Sequence, residues 1–352
     1  MIAPEQLHNA AGWLRACRRP LLLTHRRPDG DALGALSALT HALRRRGLDP
    51  QPTLYEPLPP RYAGVPGLVA PRRWDRESAA LAAACDAVVI VDTCAWSQLE
   101  PAAAFLRQAP RTLVIDHHPT RDDVGIRPGD LRLIDDSAGA VCLVVAELLP
   151  ALHVALDTTL ASALFLGIAT DLGWFRFPGT DARALRIAAD LVAAGARSHT
   201  LYGAIYEREP AAKLRLIGRM LTSLDVRADG RLAVLALRRA DFAAAGADGS
   251  MTEDLVNEAT RLEGTEATVL LTEEADGAVR VNLRSKSWLD AAQLARTLGG
   301  GGHTRAAGAR LPGPWEQAVP RVLAALEAAL ADGPPAAAPA DTPEQSGPRP
   351  GA

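Results

Sequence analysis

Three short stretches constrain this chain more than any other feature: PLLLTH at residues 20–25, CDAVVIVDT at 85–93 and TLVIDHH at 112–118. Each holds an apolar run too short for a helix and apolar on both faces. Strands buried inside a parallel sheet read this way. Each run also ends on acidic or imidazole side chains: His25, Asp92, and Asp116 with His117 and His118. Helical stretches surround them. Residues 4–18 place Leu7, Ala10, Ala11 and Leu14 on one face, and ALGALSALTHALRRRG (32–47) stops at Gly47. A further apolar helix, LASALFLGIATDLGWFRF (160–177), carries Asp171 at the end of its run. The alternation predicts an α/β domain with a largely parallel sheet flanked by helices.

After about residue 190 the pattern changes. REPAAKLRLIGRMLTSL (208–224) reads as a connecting helix. RLAVLALRR, EATVLLTEEADGAVRVNLRSK and a closing helix at 315–331 predict a smaller α+β domain, with a hairpin turn at ADG (275–277). The expected division is a first domain at 1–190, a helical linker at 191–222, a second domain at 223–331 and a disordered Pro- and Ala-rich tail at 332–352.

A length of 352 residues agrees with two domains. With 48% hydrophobic and 22% charged residues the chain is globular rather than disordered. Its net charge of −3 offers no global basic field for a long duplex. Cys17, Cys85, Cys94 and Cys142 form no CxxC pair and no secretory leader is evident, so reduced thiols in the cytoplasm are expected. No apolar run reaches the roughly 18 residues of a membrane helix.

Ligands of open α/β sheets bind beyond the carboxyl ends of the strands. His25, Asp29 and Asp31, then Asp92, then Asp116, His117 and His118 occupy those ends, and Asp171 joins them from a helix. Each has a plain reading alone: Asp31 as a helix cap, Asp92 or Asp171 as a turn residue, Asp116 as a buried acceptor holding an imidazole. Together, on consecutive elements, they read as a site for divalent ions. Carboxylates and imidazoles without thiolates suit Mn²⁺, Mg²⁺, Co²⁺ or Zn²⁺. A bridging carboxylate between two such ions gives the usual clamp for phosphoryl hydrolysis. His8, His41, His153 and His199 sit in plain helical or loop contexts and read as surface or core histidines. GGGGH (299–303) is either a flexible turn or a phosphate cradle in which Gly301 and Gly302 expose backbone N–H groups beside His303, with Arg284, Ser285 and Lys286 nearby. Trp174, Phe175 and Phe177 read as core packing in preference to a base-stacking surface.

In order, HRRPDGDALG, VVIVDT, VIDHH and GIATDLGWFRF, followed by VRVNLRSK and GGGGHTRAAG, resemble the motifs of the DHH phosphoesterase superfamily and its DHH-associated C-terminal domain. The resemblance runs from about residue 20 to about residue 330 and is greatest to the bifunctional oligoribonuclease and pAp phosphatase (NrnA-like) type. It implies an active-site cleft between the domains and two divalent ions, Mn²⁺ first, with Mg²⁺ or Co²⁺ as substitutes. His25 and Asp29 would hold one ion, Asp31, His117 and Asp171 the other, and Asp92 would bridge them around an activated water. His118 would face the scissile phosphate, oriented by Asp116. Arg284, Ser285, Lys286, Gly301, Gly302 and His303 would hold a terminal phosphate. The implied substrates are very short single-stranded RNA (or DNA), cleaved to nucleoside monophosphates, and 3′-phosphoadenosine 5′-phosphate (pAp), cleaved to AMP and phosphate. No membrane partner is implied; a homodimer is. Arg27 and Ala35 stand where the family commonly has Asn and Ser, and neither is a ligand. The alternatives are a RecJ-like exonuclease, a cyclic- or linear-dinucleotide phosphodiesterase, an inorganic pyrophosphatase, and a nucleotide sensor without turnover. The sensor predicts a lost ligand, and all six ligand positions are filled.

Overall fold

The computed structural model describes residues 2–119, 121–252, 254–331 and 333–334; almost all of the expected tail, and the side chain of His303, lie outside this description. The chain divides into two compact units between Arg208 and Glu209. Among the described residues no helix is long and apolar enough to cross a membrane.

The first unit runs α1 (Pro4–Arg15), β1 (Pro20–Leu23), α2 (Gly30–Arg45), β2 (Gln51–Leu54), β3 (Arg72–Arg73), α3 (Trp74–Ala84), β4 (Ala87–Val91), the short α4 (Trp96–Leu99) and α5 (Ala103–Leu106), β5 (Thr112–Asp116), β6 (Leu131–Ile134), α6 (Val141–Ala151), α7 (Thr158–Asp171), α8 (Ala182–Ala193) and α9 (Ser198–Tyr206). The six strands pair in the order β3-β2-β1-β4-β5-β6, every pair parallel. The chain builds outward from β1 through β2 to β3, then returns to β4 beside β1. The winding direction therefore reverses between β1 and β4, which opens a crevice at their carboxyl ends. Alternate strand residues feed two cores. Leu22, Val89, Leu113 and Ile115 pack with α1, α2, α6 and α7, while Leu21, Leu23, Val88, Ile90 and Val114 pack on the other face with Trp74 and Leu81 of α3. This double coverage explains why β1, β4 and β5 are apolar throughout. Four-residue β2, with Pro52 inside it, and two-residue β3 carry no such signature.

Helices α2 and α7 are buried on nearly all sides and cross where both lack a side chain. A Cβ on Gly34 would lie 2.5 Å from the Ala163 carbonyl oxygen. One on Gly167 would lie 2.3 Å from Cys142 Sγ and 2.8 Å from Asp31 Oδ1. This contact fixes Asp31, in the first turn of α2, against the last turns of α7, which end on Asp171. All four cysteines are buried and free.

The second unit comprises α10 (Ala211–Thr222), β7 (Asp225–Arg227), β8 (Leu232–Leu237), α11 (Arg239–Ala245), β9 (Ala267–Glu273), β10 (Val279–Ser285), α12 (Ala291–Thr297), β11 (Gly301–His303), β12 (Ala306–Leu311) and α13 (Trp315–Ala331). Its strands order as β11-β12-β10-β9-β8-β7, antiparallel except for β8 with β9. The β9–β10 hairpin closes from Glu273 opposite Val279, around the ADG turn. Helices α12 and α13 cover one face of the sheet, α10 and α11 the other. Of the stretch expected to be a linker, α9 belongs to the first unit and α10 to the second.

The helix crossing is directly testable. Gly167→Ala should lower stability to urea by about 1–3 kcal/mol, because overpacking outweighs the gain in helix propensity. Gly12→Ala in α1, whose new Cβ would meet only Arg15 Nη2 at 3.9 Å, should raise it by about 0.5–1 kcal/mol. A Gly167→Ala protein as stable as the wild type, or more stable, would show that the crossing is not tight.

Candidate metal centre

The residues singled out at the strand ends of the first unit converge in the crevice. His25 lies two residues beyond β1. Asp29 caps α2, its Oδ1 accepting the N–H groups of Asp31 (3.0 Å) and Ala32 (3.1 Å). The capping role open to Asp31 in the sequence thus belongs to Asp29. Asp31 is instead fully buried, and its carboxylate accepts the N–H groups of Val141 (2.5 Å) and Cys142 (3.0 Å) at the start of α6. The free N–H groups of a helix N-terminus favour a negative charge there.

Asp92 follows β4 with φ +64°, a left-handed conformation that Asp tolerates better than most side chains. Its own N–H donates to the Ile115 carbonyl at 2.9 Å, which holds the turn against β5. The buried carboxylate faces two ways: Oδ2 lies 3.4 Å from His25 Nε2, and Oδ1 lies 3.4 Å from His117 Nε2. His117 Nδ1 sits 3.0 Å from the Ala138 carbonyl, to which it donates. That bond leaves Nε2 directed toward Asp92, Asp171 (3.7 Å) and Asp31 (4.0 Å). Asp116, completely buried, accepts from the backbone N–H groups of His117 (2.8 Å) and His118 (3.3 Å) and from His118 Nδ1 (2.8 Å). It thus holds the His118 imidazole directly and His117 through its backbone, while the His117 ring is held by the Ala138 carbonyl.

Three sets of side chains each offer atoms within 4.8 Å of one another: His25, Asp29 and Asp92; Asp31, His117 and Asp171; and Asp92, His117 and His118. Burial raises the pKa values of Asp29 and Asp31, and the charge of Asp92 adds to both. Burial likewise pushes Asp171 up to about 7, against the pull of His117. Burial also resists the charge on Asp92, but the facing imidazoles of His117 and His25 hold its carboxyl below the usual range. Burial disfavours a charged His117, yet Asp92, Asp31 and Asp171 raise it to about 10. Four buried or half-buried carboxylates thus compete for two imidazoles, and Asp92 Oδ1 lacks a hydrogen-bond partner among the described residues. Uncompensated buried carboxylates are costly, and a divalent cation would supply the missing charge. The donor set of carboxylates and imidazoles fits hard to intermediate divalent ions. These groups could bind metal.

His118 is half-exposed, and its pKa is raised by the bond to Asp116, with burial opposing. Two partners of the centre carry no chemical signature in the sequence: the Ala138 carbonyl and the first N–H groups of α6. The small-residue stretch SAGA before an apolar helix was the available hint. Arg284, Ser285, Lys286, Gly301 and Gly302 fall in the second unit. Arg284 Nε donates to Asn257 Oδ1 at 3.0 Å, Ser285 Oγ to the Thr304 carbonyl at 3.2 Å and Lys286 Nζ to the Leu262 carbonyl at 2.6 Å. Arg284 on β10 and His303 on β11 both register with Ala306 of β12. A Cβ on Gly302 would meet the Ala306 carbonyl at 2.6 Å, whereas Gly301 has open space around it. Trp174 and Phe175 pack against the core as expected, but Phe177 does not, being 51% exposed. Among the histidines set aside, His8 bonds to the Pro4 carbonyl and His41 to that of Gly67.

Residues 20–168 match the DHH family, N-terminal domain, and residues 229–332 the DHHA1 domain. The chain is 31% identical to the bifunctional oligoribonuclease and PAP phosphatase NrnA of Thermus thermophilus, over 93% of this chain and 95% of that protein. It is 30% identical to the protein of the same name from Bacillus subtilis, over 87% and 93% respectively. The crystal structure of an exopolyphosphatase-related protein from Bacteroides fragilis shares the fold, with a TM-score of 0.86 at 22% identity over 93% of this chain and 97% of that one. Sequence identity sustained over nearly the whole of a relative, on top of the strand-end geometry, places this chain in the DHH family, with a DHHA1 domain as its second unit.

Proposed function

We propose that the protein is a metal-dependent phosphoesterase that hydrolyses short oligoribonucleotides to nucleoside monophosphates and pAp to AMP and phosphate. The observation that carries this reading is the two-way Asp92 carboxylate, set between the His25 side and the His117 side of the centre. The two relatives named as oligoribonuclease and PAP phosphatase support the choice of substrates.

In this reading His25 and Asp29 would hold one ion, Asp31, His117 and Asp171 would hold a second, and Asp92 would serve both. Mn²⁺ suits the mixed carboxylate and imidazole set best, with Mg²⁺ or Co²⁺ as substitutes. When bound, the ions activate a water and neutralise the phosphoryl oxygens. The protein's own groups do the rest. Asp116 accepts the Nδ1–H of His118 and so turns the opposite ring nitrogen toward the open side of the centre. A charged His118 there hydrogen-bonds a phosphoryl oxygen or hands a proton to the leaving oxygen. The Ala138 carbonyl keeps His117 in the tautomer a ligand needs. In the second unit Arg284, Ser285, Lys286 and His303, with the backbone of Gly301 and Gly302, are assigned to the terminal phosphate of a short substrate. Few contacts suffice for such a ligand, in keeping with a net charge of −3.

Purified protein supplied with Mn²⁺ should release AMP and phosphate from pAp, and nucleoside monophosphates from di- to pentaribonucleotides, as read by chromatography. Release from neither would end the proposal. Asp92→Asn should abolish both activities, whereas persistence of either would remove Asp92 from the centre. His118→Gln should retain metal binding while lowering kcat by about 10²- to 10⁴-fold, the range typical of a positioned acid or base. An unchanged kcat would assign His118 to positioning alone.

A further inference from the structure

Two residues after Asp171 the backbone turns left-handed for three consecutive residues, Gly173, Trp174 and Phe175, with φ of +55°, +55° and +63°. Bulky side chains keep this conformation only where their surroundings over-determine it, and such strain concentrates at functional sites. The turn folds back onto α7, the Trp174 N–H donating to the Ala169 carbonyl at 2.6 Å. It sets the Trp174 ring edge-on between Phe165 in the core (centroids 6.3 Å apart) and two tyrosines of α9, Tyr202 (4.9 Å) and Tyr206 (6.0 Å).

Core packing accounts for the Phe165 side of this cluster but not for the tyrosines. Tyr202 and Tyr206 are one helical turn apart, with centroids 5.0 Å apart, and they remain 41% and 39% exposed. Tyr62 joins them from the first unit's 60–62 turn, buried and packed against the same core. Burial raises its pKa, the Arg61 charge opposes, and Asp29 and Tyr206 both add to the rise. The 60–62 turn and α7 both pack against α9, so Tyr62 and Trp174 flank the helix that carries the tyrosine pair. Three of the chain's four tyrosines thus lie on α9 or on the turn packed against it, beside the segment that follows Asp171, in a chain with only 4% aromatic residues. Trp174 Nε1 is buried there without a partner among the described residues.

We infer that Tyr202 and Tyr206, backed by Trp174, form a stacking platform for the nucleobase of the nucleotide whose phosphate lies at the metal centre. The inference rests on the phosphoesterase reading and extends it to ligand choice. Base-bearing phosphates are favoured over bare sugar phosphates and polyphosphates. Stacking tolerates every base, because each presents a π-face, so little discrimination among bases is expected from this surface. The rings lose little conformational freedom on binding, which suits a platform held by packing from behind.

Calorimetric titration of the full chain in Mn²⁺ with AMP and with ribose 5-phosphate tests this without requiring turnover. The wild type should bind AMP about tenfold or more tighter than ribose 5-phosphate. In Tyr202→Ala/Tyr206→Ala the ratio should fall to near one. Tyr202→Leu/Tyr206→Leu, which keeps apolar contact with Trp174 but removes the π-faces, should lose the preference as well. Tyr202→Phe/Tyr206→Phe should keep it. Equal binding of the two ligands by the wild type, no binding of AMP, or a preference that survives the alanine or leucine pair would overturn the inference. A base preference that behaves as described, in a protein that leaves pAp and oligoribonucleotides intact, would uphold the platform and reject the hydrolytic reading.

Discussion

The first unit depends on one buried carboxylate. Asp92 emerges from β4 in a left-handed turn and divides its two oxygens between His25, beyond β1, and His117, beyond β5. Those three strands are neighbours in the sheet, so a single side chain ties together the carboxyl ends of its centre. The arrangement is possible because the winding order reverses between β1 and β4; in a sheet wound in one direction a helix connection would fill that space. The electrostatics follow from the same placement. Carboxylates from two helices are driven against Asp92 in a buried site, where burial first, and the Asp92 charge after it, raises their pKa values.

The helices serve that centre as much as the sheet does. Asp31 and Asp171 stand on different helices, far apart in sequence, and their approach depends on α2 and α7 touching through Gly34 and Gly167. The start of α6 then supplies two N–H groups to Asp31, so its buried charge is balanced by backbone as well as by His117. Packing and site construction are therefore one problem here. A side chain added to Gly167 would press on both Cys142 and Asp31.

Much of this was legible in the sequence, for definite reasons. Strands β1, β4 and β5 announced themselves because both sheet faces are covered, and their polar ends stood out against the apolar runs. Strands β2, β3 and β6 were not foreseen: β2 contains a proline, β3 has two residues, and β6 is only partly buried. The division of labour between Asp29 and Asp31 was also hidden. Both precede a helix by type and spacing, and only the partner at the start of α6 decides which is the cap. Nor did the sequence show that the segment after Asp171 turns left-handed, since Trp and Phe carry no turn signal. That conformation separates Trp174, packed inward, from Phe177, which ends up in solvent.

The central claim is that Asp92 serves two ions at once. Crystals of the protein grown with Mn²⁺ and measured at the manganese absorption edge test it most directly. The account predicts two anomalous peaks, one among His25, Asp29 and Asp92 and one among Asp31, His117 and Asp171, with a different Asp92 oxygen directed at each. A single peak, or two peaks of which Asp92 touches only one, would contradict it.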